Sequence, residues 1–118
     1  MLSLAFLKLP VTDLNRAVRF YTSALPLNVT FAAEEYGWAQ LEAGDVSLAL
    51  YVPGKGGGNR TPGGSVNFQL QHPNVDELLA TFKENLPDVK AEIFENNDGS
   101  RSLEFADPDG NELKIMST

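Results

Sequence analysis

Cysteine is absent from this 118-residue chain. That excludes disulfides, a thiolate nucleophile and any cysteine-held metal site. Histidine is nearly absent as well. His72 is the only one; one isolated imidazole makes no metal site, and with no evident partner it offers no Ser-His-Asp triad. Basic residues are scarce: nine Lys and Arg stand against sixteen Asp and Glu, a formal charge of −7. With no cationic surplus to displace counterions, nucleic acid is not an expected partner. No apolar run approaches the length that spans a bilayer, so no membrane association is expected. The apolar stretch Met1–Leu9 lacks the basic start and small-residue cleavage site of a secretory leader. The cytoplasm is therefore the expected location, and the sequon Asn28-Val29-Thr30 has no role there.

What is present fits one folded domain. Hydrophobic residues make up 42% and charged residues 21% of the chain, ordinary values for a globular protein long enough for one core. Leu7, Leu9 and Val11 alternate with Phe6, Lys8 and Pro10, as on a strand. Asp13 is placed to cap a helix whose apolar positions are Leu14, Ala17, Val18 and Tyr21, widened by Phe20. Pro26 closes that region. Three strands are predicted after it, over Asn28–Ala33, Gly37–Leu41 and Val46–Val52. The stretch 53–64, Pro-Gly-Lys-Gly-Gly-Gly-Asn-Arg-Thr-Pro-Gly-Gly, has the composition of a linker or mobile flap. It is not a phosphate-binding loop, because Lys55 is followed by glycine and a strand instead of Ser/Thr and a helix.

The same order then recurs. Val66, Phe68 and Leu70 alternate with Ser65, Asn67, Gln69 and Gln71. Asn74, with Glu77 three residues on, has the form of a capping box. Val75, Leu78, Leu79, Phe82 and Leu86 supply a helical apolar stripe. Strands are predicted over Val89–Phe94, Arg101–Ala106 and Glu112–Met116. The last two form a hairpin about Asp107-Pro108-Asp109-Gly110, where Pro108 pre-sets φ, the Asp side chains bond local backbone and Gly110 accepts positive φ. Leu103, Phe105, Leu113 and Ile115 share its oily face; Glu104 and Lys114 lie on the other. The order strand, helix, three strands therefore occurs twice, an architectural signal in itself.

Several segments together resemble the vicinal-oxygen-chelate superfamily, which includes glyoxalase I, bleomycin-resistance proteins and extradiol dioxygenases. They are Leu9-Pro10-Val11-Thr12-Asp13-Leu14, Arg16-Ala17-Val18-Arg19-Phe20-Tyr21, Ala24-Leu25-Pro26-Leu27 and Phe105-Ala106-Asp107-Pro108-Asp109-Gly110-Asn111. Pro26 departs from the glycine usual in that third run. The resemblance implies an α+β fold of two repeated βαβββ modules, 1–52 and 65–118 about the glycine-rich 53–64, forming curled mixed sheets around a cleft. It also implies a homodimer, since many relatives complete their clefts between subunits.

Enzymes of the superfamily hold a divalent metal with His, Glu or Gln at four cleft-facing strand positions. By the resemblance those positions are Phe6, Ala49, Ser65 (Asn67 in a looser alignment) and Lys114. Phe6 and Ala49 offer no lone pair, Ser65 or Asn67 is a poor ligand alone, and an ammonium repels cations. No metal or other cofactor is therefore expected, and the chain is closest in character to the metal-free bleomycin-resistance-like branch. Alternation lines the cleft with Phe6, Lys8, Trp38, Gln40, Ala49, Tyr51, Asn67, Gln69, Glu104, Lys114 and Met116. Aromatics with a few amides and charges suit a small-molecule pocket, although Trp38 and Phe6 are equally the residues that would fill a core or dimer seam. Glu104 and Glu112 serve either as acid–base groups or as partners of Lys8 and Lys114. His72, between strand and helix, reads as a solvated loop residue.

The expected function is metal-independent binding and sequestration of a small molecule. The net charge favours a cationic aromatic ligand; Lys8 and Lys114 favour an anionic or neutral one. The alternatives are a metal-dependent lyase or dioxygenase with an atypical metal site, and a module whose dimer surface is the functional part.

Overall fold

Two short strands and their following helices set up the whole architecture, which a computed structural model describes over residues 1–118. The first strand, β1 (Leu7–Pro10), leads into α1 (Leu14–Ala24). The Asp13 side chain caps α1 by accepting from the Arg16 N–H at 3.0 Å. Leu14, Ala17, Phe20, Tyr21 and Ala24 form its buried stripe. Next come β2 (Asn28–Ala33), a 3-10 turn (Glu34–Tyr36), β3 (Trp38–Ala43) and β4 (Val46–Tyr51). The first sheet has the order β1-β4-β3-β2, with β1 parallel to β4 and the other pairs antiparallel.

The second half runs β5 (Gly64–Ser65), β6 (Leu70–His72), α2 (Val75–Asn85), β7 (Ala91–Glu95), β8 (Arg101–Ala106) and β9 (Asn111–Ser117). Its sheet has the order β5-β9-β8-β7, and β6 also pairs with β9; both β5 and β6 run parallel to it. Here the structure departs from the alternation over 65–71, which predicts one continuous strand. Between Ser65 and Leu70 the chain advances five residues, while their β9 partners, Glu112 and Ile115, are three apart. The two surplus residues cannot pair, so the strand opens between its halves. Because the surplus is even, Leu70 still meets Ile115 in the core.

The capping box at α2 is also modified. Asn74 Oδ1 accepts from the Glu77 N–H at 3.0 Å, as predicted, but the Asn74 N–H donates to His72 Nδ1 at 2.9 Å. His72 thus performs the reciprocal half of the box that Glu77 would otherwise supply.

One core joins both halves, with Leu9, Leu41, Leu48 and Leu50 of the first sheet and Leu103, Phe105, Leu113 and Ile115 of the second packed on the two helices. At its centre the rings of Phe82 and Phe105 lie 4.7 Å apart, and that of Phe20 stands 6.0 Å from Phe105.

The Asp107–Gly110 turn is the polar counterpart of this core. Asp107 Oδ1 accepts from the backbone N–H groups of Asp109 and Asn111, both at 2.9 Å. Its Oδ2 accepts from Tyr21 Oη at 2.7 Å and Asn111 Nδ2 at 2.9 Å. Asn111 Nδ2 also donates to the Pro10 carbonyl at 2.8 Å, while its Oδ1 accepts from the Gly63 N–H at 2.8 Å. Asp109 Oδ1 accepts from Thr12 N at 3.1 Å, from Thr12 Oγ1, and from Arg16 at 3.3 Å. The last hairpin is thereby fastened to the loop between β1 and α1. Burial, and then the adjacent Asp107 charge, push the Tyr21 hydroxyl well above the ordinary tyrosine range.

Candidate functional site

One face of the first sheet packs on the helices; the other carries a patterned set of side chains. Pairing across the strands sets this second face in rows. Lys8, Ala49, Gln40 and Phe31 form one row, and Pro10, Tyr51, Trp38 and Ala33 the next. Six of the residues expected to line a cleft, Phe6, Lys8, Trp38, Gln40, Ala49 and Tyr51, thus come together. Phe6 meets Trp38 edge-on at 5.5 Å between ring centroids. The Trp38 indole N–H donates to Gln40 Oε1 at 2.9 Å, which fixes both side chains. Lys8 Nζ stands 5.2 Å from the Tyr51 ring centroid and 6.0 Å from that of Trp38, within cation–π range.

Exposure differs sharply along this face. Ala49 is fully buried and Tyr51 only 2% exposed, whereas Trp38 and Gln40 are half-buried and Lys8 is exposed. The cover over Tyr51 is the glycine-rich segment. A Cβ on Gly57 would stand 2.8 Å from Tyr51 Cβ and 2.9 Å from the Trp38 ring, and one on Gly58 would stand 2.8 Å from the Tyr51 ring. Only glycine lets the backbone approach so closely. Beside Trp38 this leaves an open hollow of about 480 Å³ lined by Phe31, Tyr36, Trp38, Gln40, Lys55, Gly56 and Gly57.

The other expected residues lie elsewhere. Glu104 and Lys114 are cross-strand neighbours on the outer face of the second sheet, with Nζ and carboxylate 4.0 Å apart. Met116 faces Ser102 on the same hairpin. Asn67 and Gln69 sit on the opened stretch between β5 and β6, and Gln69 borders a crease with Leu4, Ala5 and Ser47. The hollow beside Trp38 contains none of these five. Glu112 accepts from Ser65 Oγ at 3.2 Å, so it and Glu104 each hold a partner on their own sheet.

Five of the lining residues escape the sequence: Phe31, Tyr36, Lys55, Gly56 and Gly57. Phe31 reaches the Gln40 row because β2 carries a bulge: from Val29 to Phe31 it advances two residues while β3 advances one. Lys55 and the glycines reach Trp38 because the supposed linker folds back on it. The run of three glycines at 56–58 is the available signal, since consecutive glycines also mark close backbone approach.

A model of the glyoxalase/bleomycin resistance protein/dioxygenase superfamily matches residues 3–115. The chain belongs to that superfamily. Its fold is similar to that of a superfamily member from Sphaerobacter thermophilus, with a TM-score of 0.83 and 22% identity over 100% of this chain and 98% of the other. It is similar to lactoylglutathione lyase from Agrobacterium tumefaciens, with a TM-score of 0.82 and 19% identity over 98% and 92%. It is also similar to TnmS3, an antibiotic-binding protein from a Streptomyces species, with a TM-score of 0.76 and 22% identity over 99% and 96%. At such identities the likeness is one of fold. No curated protein matches the chain in sequence.

The superfamily's metal can be tested against the residues present. Phe6 and Ala49 bring only carbon atoms to their positions. Ser65 Oγ is engaged with Glu112, and Lys114 places a cation beside Glu104. No group of three or more His, Asp and Glu side chains is arranged so that it could hold a metal ion. This donor set does not fit a divalent metal. No helix is long and apolar enough to cross a membrane.

Proposed function

We propose that this chain is a metal-independent small-molecule-binding protein that sequesters an aromatic ligand, in the manner of the bleomycin-resistance-like branch. The observation that carries this reading is the Trp38 face. A half-buried indole held by Gln40, flanked by Phe6 and Lys8 and bordered by a glycine loop, offers a flat apolar surface with polar groups at its edge. The four positions at which related enzymes hold metal supply no donor set beside it.

In this reading 1–52 and 65–118 are the two βαβββ modules, and their outer faces make the walls of a cleft. One chain leaves the Trp38 hollow without Glu104 and Lys114, so a second copy supplies the facing wall in a homodimer. The edge strands β2 and β7 support this, with Val29 exposed by 46% and Phe31 and Phe94 by 44% each. The protein acts in the cytoplasm.

Metal content of the purified protein, measured together with thermal unfolding in nickel, zinc, iron(II) and manganese, tests the reading. A ligand of the folded state raises apparent stability by mass action. No bound metal and no shift are expected. Stoichiometric metal, or a clear upward shift, would refute metal independence in favour of a lyase or dioxygenase with an atypical site. Sedimentation giving a monomer at working concentration would remove the shared cleft.

A further inference from the structure

The charge around Trp38 is opposite to the charge of the molecule. The chain carries −7 overall, yet the one charged residue in the lining of the hollow is Lys55, and Lys8, just outside that lining, stands over the Tyr51 and Trp38 rings. Neither belongs to any of the four ion pairs, which join Arg16–Asp109, Lys90–Glu92, Arg101–Asp76 and Lys114–Glu104. The nearby carboxylates are turned to other work or to solvent. Glu34 accepts from Asn15 at 3.2 Å, Glu42 from Ser47 Oγ at 3.1 Å, and Glu35 is exposed and outside the lining. A second copy placing its β7–β9 face opposite would bring Glu92, Glu104 and Glu112 already paired with Lys90, Lys114 and Ser65.

Hydrogen-bonding capacity points the same way. The Gln40 oxygen is taken by the Trp38 indole N–H, so Gln40 offers its amide N–H groups, and the two lysines offer only donors. The faces of Trp38 and Tyr51 that would attract a cationic ligand already hold the Lys8 ammonium. An incoming cation would have to displace it and meet Lys55. An anion would instead find two ammonium groups that no carboxylate pairs and an amide donor beside a flat ring.

Resting on the proposed binding function, we infer that the ligand is an aromatic carboxylate: its ring lies on Trp38 beside the Gly57 backbone, and its carboxylate is held by Lys8 with Lys55 at the mouth. Lys8 is then the residue that selects ligand charge.

Three probes of one shape and different charge test this by calorimetry: 2-naphthoate, 2-naphthamide and 2-naphthylmethylammonium. The carboxylate is expected to bind at least tenfold more tightly than the amide, with the ammonium weakest. Lys8→Met should abolish the preference for the carboxylate over the amide, and Lys8→Glu should reverse the order of the two charged probes. Both substitutions are at an exposed position, and unchanged unfolding temperature verifies the fold. Equal binding of all three probes, or a carboxylate preference that survives Lys8→Met, would overturn the inference while leaving the aromatic pocket standing. Failure of all three to bind the unmodified protein at millimolar concentration would overturn the pocket itself.

Discussion

Replacing Tyr21 with phenylalanine removes a single oxygen from a fully buried ring, and its effect can be worked out in both size and pH dependence. The hydroxyl donates to Asp107 Oδ2 at 2.7 Å, where the only other donor is Asn111 Nδ2. The variant keeps the ring contacts with Phe20 but leaves a buried carboxylate oxygen with one partner. Hydrogen bonds to a charged group contribute about 1.5–3 kcal/mol, so about 2 kcal/mol is the expected loss near pH 7. With an unfolding entropy of about 2.1 cal/mol/K per residue, that loss lowers the unfolding temperature by roughly 8 °C. The alkaline limb adds a second, independent expectation. Burial and the Asp107 charge keep Tyr21 protonated in the folded protein, whereas in the unfolded chain it ionises near its ordinary value of 10.0. The folded state then holds more protons than the unfolded state. Stability from Tyr21 is therefore fully present below pH 10 and is lost as pH rises beyond it, by about 1.4 kcal/mol per unit. The variant lacks this loss. Urea unfolding of the two proteins should give a gap of about 2 kcal/mol at pH 7 that narrows to roughly 0.6 kcal/mol at pH 11. A gap that stays constant with pH, or one below about 0.5 kcal/mol at pH 7, would refute the role assigned to the Tyr21–Asp107 bond.

Asn111→Ala strips donors from the Pro10 carbonyl and Asp107 Oδ2 and an acceptor from the Gly63 N–H. It should cost about 2–4 kcal/mol in urea unfolding, since several buried groups lose partners at once. Gly57→Ala puts a methyl group 2.8 Å from Tyr51 Cβ. The loop must lift from the rings, and the emission of Trp38, the sole tryptophan, should shift to the red; an unshifted spectrum would mean that the loop does not cover it. Trp38→Ala, at a half-buried position, should abolish measurable binding of naphthyl ligands and leave circular dichroism unchanged. Retained affinity would remove Trp38 from the site.

The elements easiest to read were those whose determinants lie within a few residues of one another. Asp13 and Asn74 cap helices whose apolar spacing is local, and the Asp107–Gly110 turn is specified by its own four residues together with the alternation of Leu103, Phe105, Leu113 and Ile115. What escaped was set by register or by distance along the chain. The opening between β5 and β6 depends on how many residues β9 offers opposite, and the bulge that turns Phe31 toward Gln40 depends on β3. Alternation within one strand contains neither number. The same holds for the site: the cross-strand set from Phe6 to Tyr51 follows from alternation, whereas Lys55 and Gly57 join it through a fold-back that composition describes only as a linker or mobile flap. The local bonds of Asp107 were expected; its bond to Tyr21, 86 residues away, was not.

That separation bears on how the chain acquires its structure during synthesis. Pro10, Thr12 and Tyr21 are made 101, 97 and 86 residues before the groups that satisfy them, Asn111, Asp109 and Asp107. Until then α1 has its cap and its apolar face but no latch, and the core lacks Phe105, Leu113 and Ile115. Non-local closure of this kind is slow relative to helix formation. The first sheet and α1 therefore wait for the β8–β9 hairpin to complete the core that they share with the second half. A nascent chain stalled before Asp107 should accordingly be protease-sensitive throughout, and not only at its growing end.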